Sequence, residues 1–131
     1  MTVEKINPPA LPVPIGYTQV MASRGSRTIY IAGQVAVDAI GNIVAPGDVI
    51  GQASRAFANV RSAVTAAGGT VADIVKVTWY VVGFRPELLP ALARARRDIF
   101  GDHEPASTLV GVAALANPQY LVEVEAIAVV D

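Results

Sequence analysis

The segment Ile74–Val82 restricts the fold more than any other part of the sequence. It reads IVKVTWYVV, is β-branched or aromatic almost throughout, and carries one charge, at Lys76. Such residues favour strands, and a run that is apolar on both faces is typical of an interior strand covered on both sides. We therefore expect a strand inside a sheet, with helices over one face and another layer, supplied by self-assembly, over the other.

Helical periodicity flanks this strand on both sides. From about Val49 to Ala67, apolar residues recur every three or four positions, which is the spacing of one helical face. Asp48 is suited to cap the start of this helix, and Gly68-Gly69 is suited to end it. A second helix is predicted from about Glu87 to Phe100.

The remaining segments predict further strands around a proline-rich start. Residues 1–16 contain four prolines and are predicted to be irregular. Strands are predicted at residues 17–22, 28–35, 42–45, 106–113 and 120–130. The first two are expected to form a hairpin centred on Gly25. The order β-β-β-α-β-α-β-β predicts a single α+β domain over residues 1–131, with a mixed sheet of about six strands and both helices on one face.

The composition excludes several classes of protein. Hydrophobic residues make up 53% of the chain and charged residues 16%, against about 25% charged in a typical domain, so disorder is excluded and a self-assembly interface is expected. Ten basic residues against eleven acidic ones leave no electrostatic footprint for nucleic acid. No apolar stretch is long enough for a membrane span or a signal peptide, which predicts a soluble cytoplasmic protein.

Few residues in the sequence could carry chemistry. There is no cysteine and a single histidine, His103, in the loop Gly101–Pro105. That excludes thiol catalysis, thiolate metal sites and two-histidine ribonuclease chemistry. We expect His103 to be a solvated loop residue, and we predict neither a metal site nor a cofactor.

Two carboxylates interrupt the last predicted strand. Alternation places Glu123 and Glu125 on one face, opposite a set that is uniformly apolar and should face the helices. The carboxylates therefore point to the face that assembly is expected to cover. Each is either paired with an arginine of another subunit or poised in a cleft, and the residues alone leave both interpretations open.

Several short runs, taken together, resemble one family. They are Gly16–Gln19, Thr28–Gln34, Gln52 through Gly68, Val75–Thr78, Pro105–Ser107 and Val122–Ala128. In order and spacing, from about residue 7 to the C-terminus, the chain resembles the Rid family, also called YjgF or endoribonuclease L-PSP.

The resemblance implies a fold, an assembly and an activity. It implies a chorismate-mutase-like fold and a homotrimer in which small molecules bind in clefts between subunits. Deaminating members hydrolyse a small enamine or imine to a ketone and ammonia, without a cofactor. An arginine in a Pro-Ala-Arg run clamps the substrate carboxylate, for which a bidentate guanidinium is well suited.

Carried over by position, the resemblance gives a mixed set of site residues. Glu123 matches the glutamate that handles the water or its proton, and Tyr17 and Gly33 match cleft residues. Ser107 stands where the arginine is expected. Ser107 and Thr108 can donate hydrogen bonds to a neutral ligand, but they cannot neutralise a carboxylate.

Other arginines are predicted not to replace the missing one. The candidates are Arg24, Arg27, Arg94, Arg96 and Arg97, and we expect each to be a solvated surface residue. Three functions remain open: a trimer that binds or hydrolyses a small metabolite with weakened imino-acid deaminase activity, an active enamine or imine deaminase of altered specificity, and a non-enzymatic regulator such as a translation inhibitor or chaperone-like trimer.

Overall fold

Residues 2–131, which the computed structural model describes, fold in the order β-β-β-α-β-α-β-β. This is the predicted order of element types, but a strand at residues 2–6 was not predicted and the strand predicted at residues 42–45 is absent. Short 3₁₀ turns precede the fourth strand and the second helix, at Val71–Asp73 and Pro86–Leu88. The elements are β1 Thr2–Ile6, β2 Val20–Arg24, β3 Arg27–Val35, α1 Val49–Ala66, β4 Ile74–Val82, α2 Leu89–Phe100, β5 Ala106–Val112 and β6 Val122–Val130. The predicted α+β class is confirmed.

Four strands form the main sheet, in the order β3-β6-β4-β5. β4 and β5 are parallel and are joined through α2, as a parallel pair requires a crossover. β6 lies antiparallel between β3 and β4. β4 is therefore an interior strand, as its sequence predicts.

The core lies between this sheet and the two helices, which pack on one face of it. Phe57 of α1 makes edge-to-face contacts with Trp79 of β4 and Phe100 of α2, at ring-centroid distances of 4.7 and 5.2 Å. From Val77 to Val81 every other residue of β4 is buried here. The other face of β4 is only half-buried in the single chain.

Both predicted ends of α1 are confirmed. The Asp48 carboxylate accepts a hydrogen bond from the amide of Gly51 at 3.0 Å, which satisfies one of the free amides of the first turn. At the other end Gly68 adopts a φ of +91°, a conformation that glycine reaches without a steric penalty. None of the helices within residues 2–131 is long and apolar enough to cross a membrane.

The N-terminal part differs from the prediction in two ways. Residues 2–6, predicted to be irregular, form β1, which pairs antiparallel with β2 in a separate two-stranded sheet. The hairpin predicted between residues 17–22 and 28–35 is wrong, because β2 and β3 belong to different sheets. At Gly25 the chain packs against the end of β6 instead of turning back; a Cβ there would lie 2.7 Å from the Val130 carbonyl oxygen.

The strand predicted at residues 42–45 is also wrong. Only a single bridge, between Val37 and Ile43, is formed there. The Asp38 carboxylate accepts hydrogen bonds from the amides of Ile40 and Asn42, at 3.1 and 2.9 Å, and closes a tight turn in place of a ladder.

Candidate functional site

A cavity of about 290 Å³ opens between the N-terminal loop, α2 and the edge of the main sheet. Its wall is mostly apolar, and three polar or charged side chains reach it: Tyr17, Arg96 and Ser107. Apolar cavities with a few convergent polar groups are the usual form of small-molecule sites. We call it the α2 cavity.

Ser107 lies in β5 on the face that the helices cover. It is paired with Val77, and side chains of paired residues point to the same face of a sheet. The indole Nε1 of Trp79 donates a hydrogen bond to Ser107 Oγ at 2.9 Å. Because the hydroxyl oxygen accepts this bond, the hydroxyl proton is left to donate to a ligand in the α2 cavity.

The loop that carries Tyr17 is held against the body of the same chain. The Thr18 amide donates to the Pro105 carbonyl at 3.2 Å, and the Thr18 hydroxyl donates to the Glu104 carbonyl at 2.5 Å. The Arg96 guanidinium donates through Nη1 to the Gly16 carbonyl. Tyr17 is thereby placed in the wall of the α2 cavity, together with Ser107.

Arg96 is a functional candidate whose burial the sequence prediction missed. It was expected on the surface, yet only 3% of it is exposed. Burial lowers the pKa of Arg96, while the nearby Glu104 carboxylate acts in the opposite direction. The signal was present in the sequence, since Arg96 stands four residues after Leu92 and four before Phe100, on the buried stripe of α2.

Glu123 and Gly33 lie together on the opposite, helix-free face of the sheet. Glu123 is paired with Val35 of β3 and with Tyr80 of β4. Its side chain lies directly over Gly33, where a Cβ would come within 2.7 Å of the Glu123 carboxyl carbon. Glycine at position 33 therefore leaves the space that the Glu123 carboxylate occupies.

Polar side chains continue across this helix-free face. Lys76 Nζ donates to Thr108 Oγ1 at 2.7 Å, and the Tyr80 hydroxyl donates to Glu125 Oε1 at 2.7 Å. The hydrogen bond to Glu125 raises the pKa of Tyr80, because the phenol must give up its proton to ionise. A second cavity, of about 430 Å³, opens beside Lys76 and Glu125.

The predicted site residues are thus divided between two faces of one sheet. Tyr17 and Ser107 reach the α2 cavity, whereas Gly33, Thr108 and Glu123 lie on the helix-free side or at its edge. Ser107 and Thr108 are neighbours in a strand and point in opposite directions, so they do not serve one ligand in the same chain.

The environment of His103 differs from the prediction of a solvated loop residue. Its ring is half-buried, and Nε2 donates to the Ile74 carbonyl at 2.7 Å, because a carbonyl oxygen can only accept. Burial lowers the pKa of His103. Within residues 2–131, no group of three or more histidine, aspartate or glutamate side chains is arranged to hold a metal ion.

Sequence comparison relates the chain to one family. The sequence model of the family described as endoribonuclease L-PSP matches residues 9–130. A 2-iminobutanoate/2-iminopropanoate deaminase from Dermatophagoides farinae is 33% identical over 127 residues, which cover 96% of this chain and 95% of that protein. A RutC family protein from Pyrococcus horikoshii is 31% identical, over 89% of this chain and 90% of its own.

Solved structures give the same relationship and confirm the expected Rid/YjgF type of fold. YyfB from Yersinia pestis, described as a member of the conserved Rid protein family, is 34% identical and superimposes with a TM-score of 0.92, over 99% of this chain and 100% of its own. RidA from an Antarctic Psychrobacter is 27% identical, with a TM-score of 0.70, over 97% and 99% of the two chains.

Proposed function

The chain belongs to the endoribonuclease L-PSP (Rid) family, and from this premise we propose that it forms a homotrimer that binds a small imine or enamine between subunits and hydrolyses it. The observation that carries the proposal is the division of the site residues between the two faces of the sheet. Curated relatives named as 2-iminobutanoate/2-iminopropanoate deaminases support the reaction class.

Glu123 is the side chain suited to the proton transfers of this reaction. Water adds to the C=N carbon and loses a proton to the carboxylate, while the nitrogen takes a proton and the carbon becomes tetrahedral. The hydroxyl group of this intermediate then gives up its proton and the amine nitrogen takes one, so that the C–N bond breaks as the C=O bond forms and ammonia leaves. One carboxylate can accept each of the two protons from the water-derived oxygen in turn and pass it to the nitrogen, so no other reactant is required.

Assembly supplies a reason for the position of Glu123. In one chain the helix-free face is open, and Tyr30 on it is 78% exposed. Large exposed apolar surfaces favour association. When a second copy covers this face, its α2 cavity, with Tyr17 and Ser107, can meet the Glu123 of the first copy, and each cleft then takes residues from two subunits.

Ser107 changes the way in which a substrate is held. A charge-assisted hydrogen bond contributes about 1.5–3 kcal/mol, and the Ser107 hydroxyl provides only a neutral donor. At this position the site therefore favours a neutral polar group over a carboxylate. Any positive charge for an anionic substrate has to come from another residue.

Ammonia release tests the proposed function. We expect the wild type to release ammonia from freshly generated 2-iminobutanoate faster than buffer does. Glu123→Gln keeps the size of the side chain and removes its basicity, so it should reduce the rate at least about 100-fold. Glu125→Gln is the matched control and should release ammonia at nearly the wild-type rate, because Glu125 lies on the same face but accepts a hydrogen bond from Tyr80. Equal rates for the wild type and E123Q would contradict the proposal.

A further inference from the structure

We propose that Arg96 supplies the positive charge of the α2 cavity and binds the carboxylate of a small acid with an apolar side chain. This inference rests on the proposed function and names the substrate class of the same site. It assigns anion binding to a residue of α2, because position 107 of β5, where the family resemblance implies an arginine, holds a serine.

The first argument is the placement of the guanidinium. Arg96 is 3% exposed and lines the α2 cavity. Burying a charged group without partners is costly. The bond to the Gly16 carbonyl uses one of five N–H donors, and Nη2 lies 3.6 Å from where a Cβ on residue 16 would stand. Glycine at position 16 thus leaves the guanidinium free of a side chain on this side.

The second argument is another donor that lines the same cavity, the Ser107 hydroxyl. The Trp79 indole donates to one lone pair of Ser107 Oγ and leaves the hydroxyl proton available to a ligand, as described above. A carboxylate has two oxygens, so one can accept from the guanidinium and the other from the hydroxyl. Hydrogen bonds to an ionised acceptor are about twice as strong as those between neutral groups.

The third argument is the character of the remaining wall. Leu89, Leu92 and Leu109 line the same cavity, and Leu89 is 47% exposed in the single chain. An apolar wall beside a charged end suits an acid with a branched aliphatic or aromatic side chain. Burial of each methylene group of such a side chain should tighten binding about 4-fold.

Glu104 sets a limit on the strength of anion binding. Its carboxylate lies beside Gly16, 3.8 Å from the same Cβ position, and it acts on the pKa of Arg96. A bound anion therefore competes with Glu104 for the guanidinium. Removal of the Glu104 charge should strengthen the binding of an acid.

Trp79, the single tryptophan of the sequence, provides a direct readout. We would titrate the protein with 4-methyl-2-oxopentanoate, a stable keto acid, and with its amide, and follow tryptophan fluorescence. The acid should bind at least about 10-fold more tightly than the amide. In Arg96→Met the preference should disappear, while Arg94→Gln, an exposed arginine of the same helix, should behave as the wild type.

Two further variants complete the test. If Arg96→Met fails to fold, Glu104→Gln decides the matter: tighter binding of the acid supports the proposal, and unchanged binding contradicts it. Equal affinity for acid and amide in the wild type would overturn the proposal, because Arg96 would then only tie the N-terminal loop to α2. Glu123→Gln should bind the keto acid normally, so loss of turnover and loss of anion binding remain separate results.

Discussion

At the scale of single residues, the alternation of side chains along a strand decides which groups can share a ligand. Ser107 reaches the α2 cavity, and Thr108, the next residue, contacts Lys76 on the other face. The position of Glu123 could be predicted from this alternation. The role of Gly33 could not, because it depends on a close approach between β3 and β6.

The Trp79–Ser107 hydrogen bond gives a prediction for stability. In Ser107→Ala the buried indole N–H loses its acceptor, and an unsatisfied buried donor costs about 1–3 kcal/mol. Chemical denaturation should show this decrease in the free energy of unfolding. Thr108→Val is the control, since Thr108 is exposed and its loss should change stability by less than about 0.5 kcal/mol. Equal effects of the two substitutions would contradict the role of Ser107 as the acceptor for the buried Trp79 indole.

Gly33→Ala tests whether the position of the Glu123 carboxylate matters for turnover. A Cβ at residue 33 would displace the end of the Glu123 side chain, which is flexible and only half-buried, so the melting temperature should fall by no more than about 3 °C. Ammonia release should nevertheless decrease about 10-fold or more. An unchanged rate would indicate that Glu123 does not act from this position.

At the scale of secondary-structure elements, periodic segments were predictable and context-dependent ones were not. The bounds of α1 and β4 follow from apolar spacing and from caps within the sequence. β1 was missed because residues 1–16 hold four prolines, although residues 2–6 contain none. Asn59 lies off the apolar stripe of α1, yet its amide donates to the carbonyls of Val35 and Val37, at 2.9 and 3.0 Å.

His103 connects the loop after α2 to the start of β4 through its hydrogen bond to Ile74. We expect its titration to make the stability of the fold depend on pH. Its pKa in the folded protein lies below the value of about 6.5 expected in the unfolded chain. The unfolded state therefore binds more protons at mildly acidic pH, and the stability present above pH 6.5 is lost as the pH falls through the folded pKa.

Thermal melting between pH 7.5 and 5.5 measures this effect. The melting temperature of the wild type should fall across the window. In His103→Gln the decrease should be smaller, because the glutamine amide can still donate to Ile74 and does not titrate. Parallel curves for the two proteins would show that another group causes the dependence.

At the scale of the whole molecule, we propose that each site takes residues from two copies. The chain was expected to cover its helix-free face by assembly, and in the structure this face bears both Glu123 and the exposed Tyr30. The sequence indicated that a layer was needed there. It could not indicate that the chain's own N-terminal loop would build one wall of the α2 cavity, because this depends on contacts between residues 16–18 and residues 96–105.

Co-expression of two inactive variants tests whether the site is shared between subunits. Glu123→Gln removes the carboxylate, and Ala93→Phe fills the α2 cavity, which Ala93 lines. Each variant alone should sediment as a trimer and release little ammonia. When both chains mix at random in trimers, about half of the clefts contain an unaltered Glu123, and about half of these also contain an unaltered α2 cavity from the neighbouring copy. About a quarter of the clefts are then intact, and about a quarter of the wild-type rate should be restored. Recovery of that size is the predicted result, and mixed trimers without any recovery would contradict a site shared between subunits.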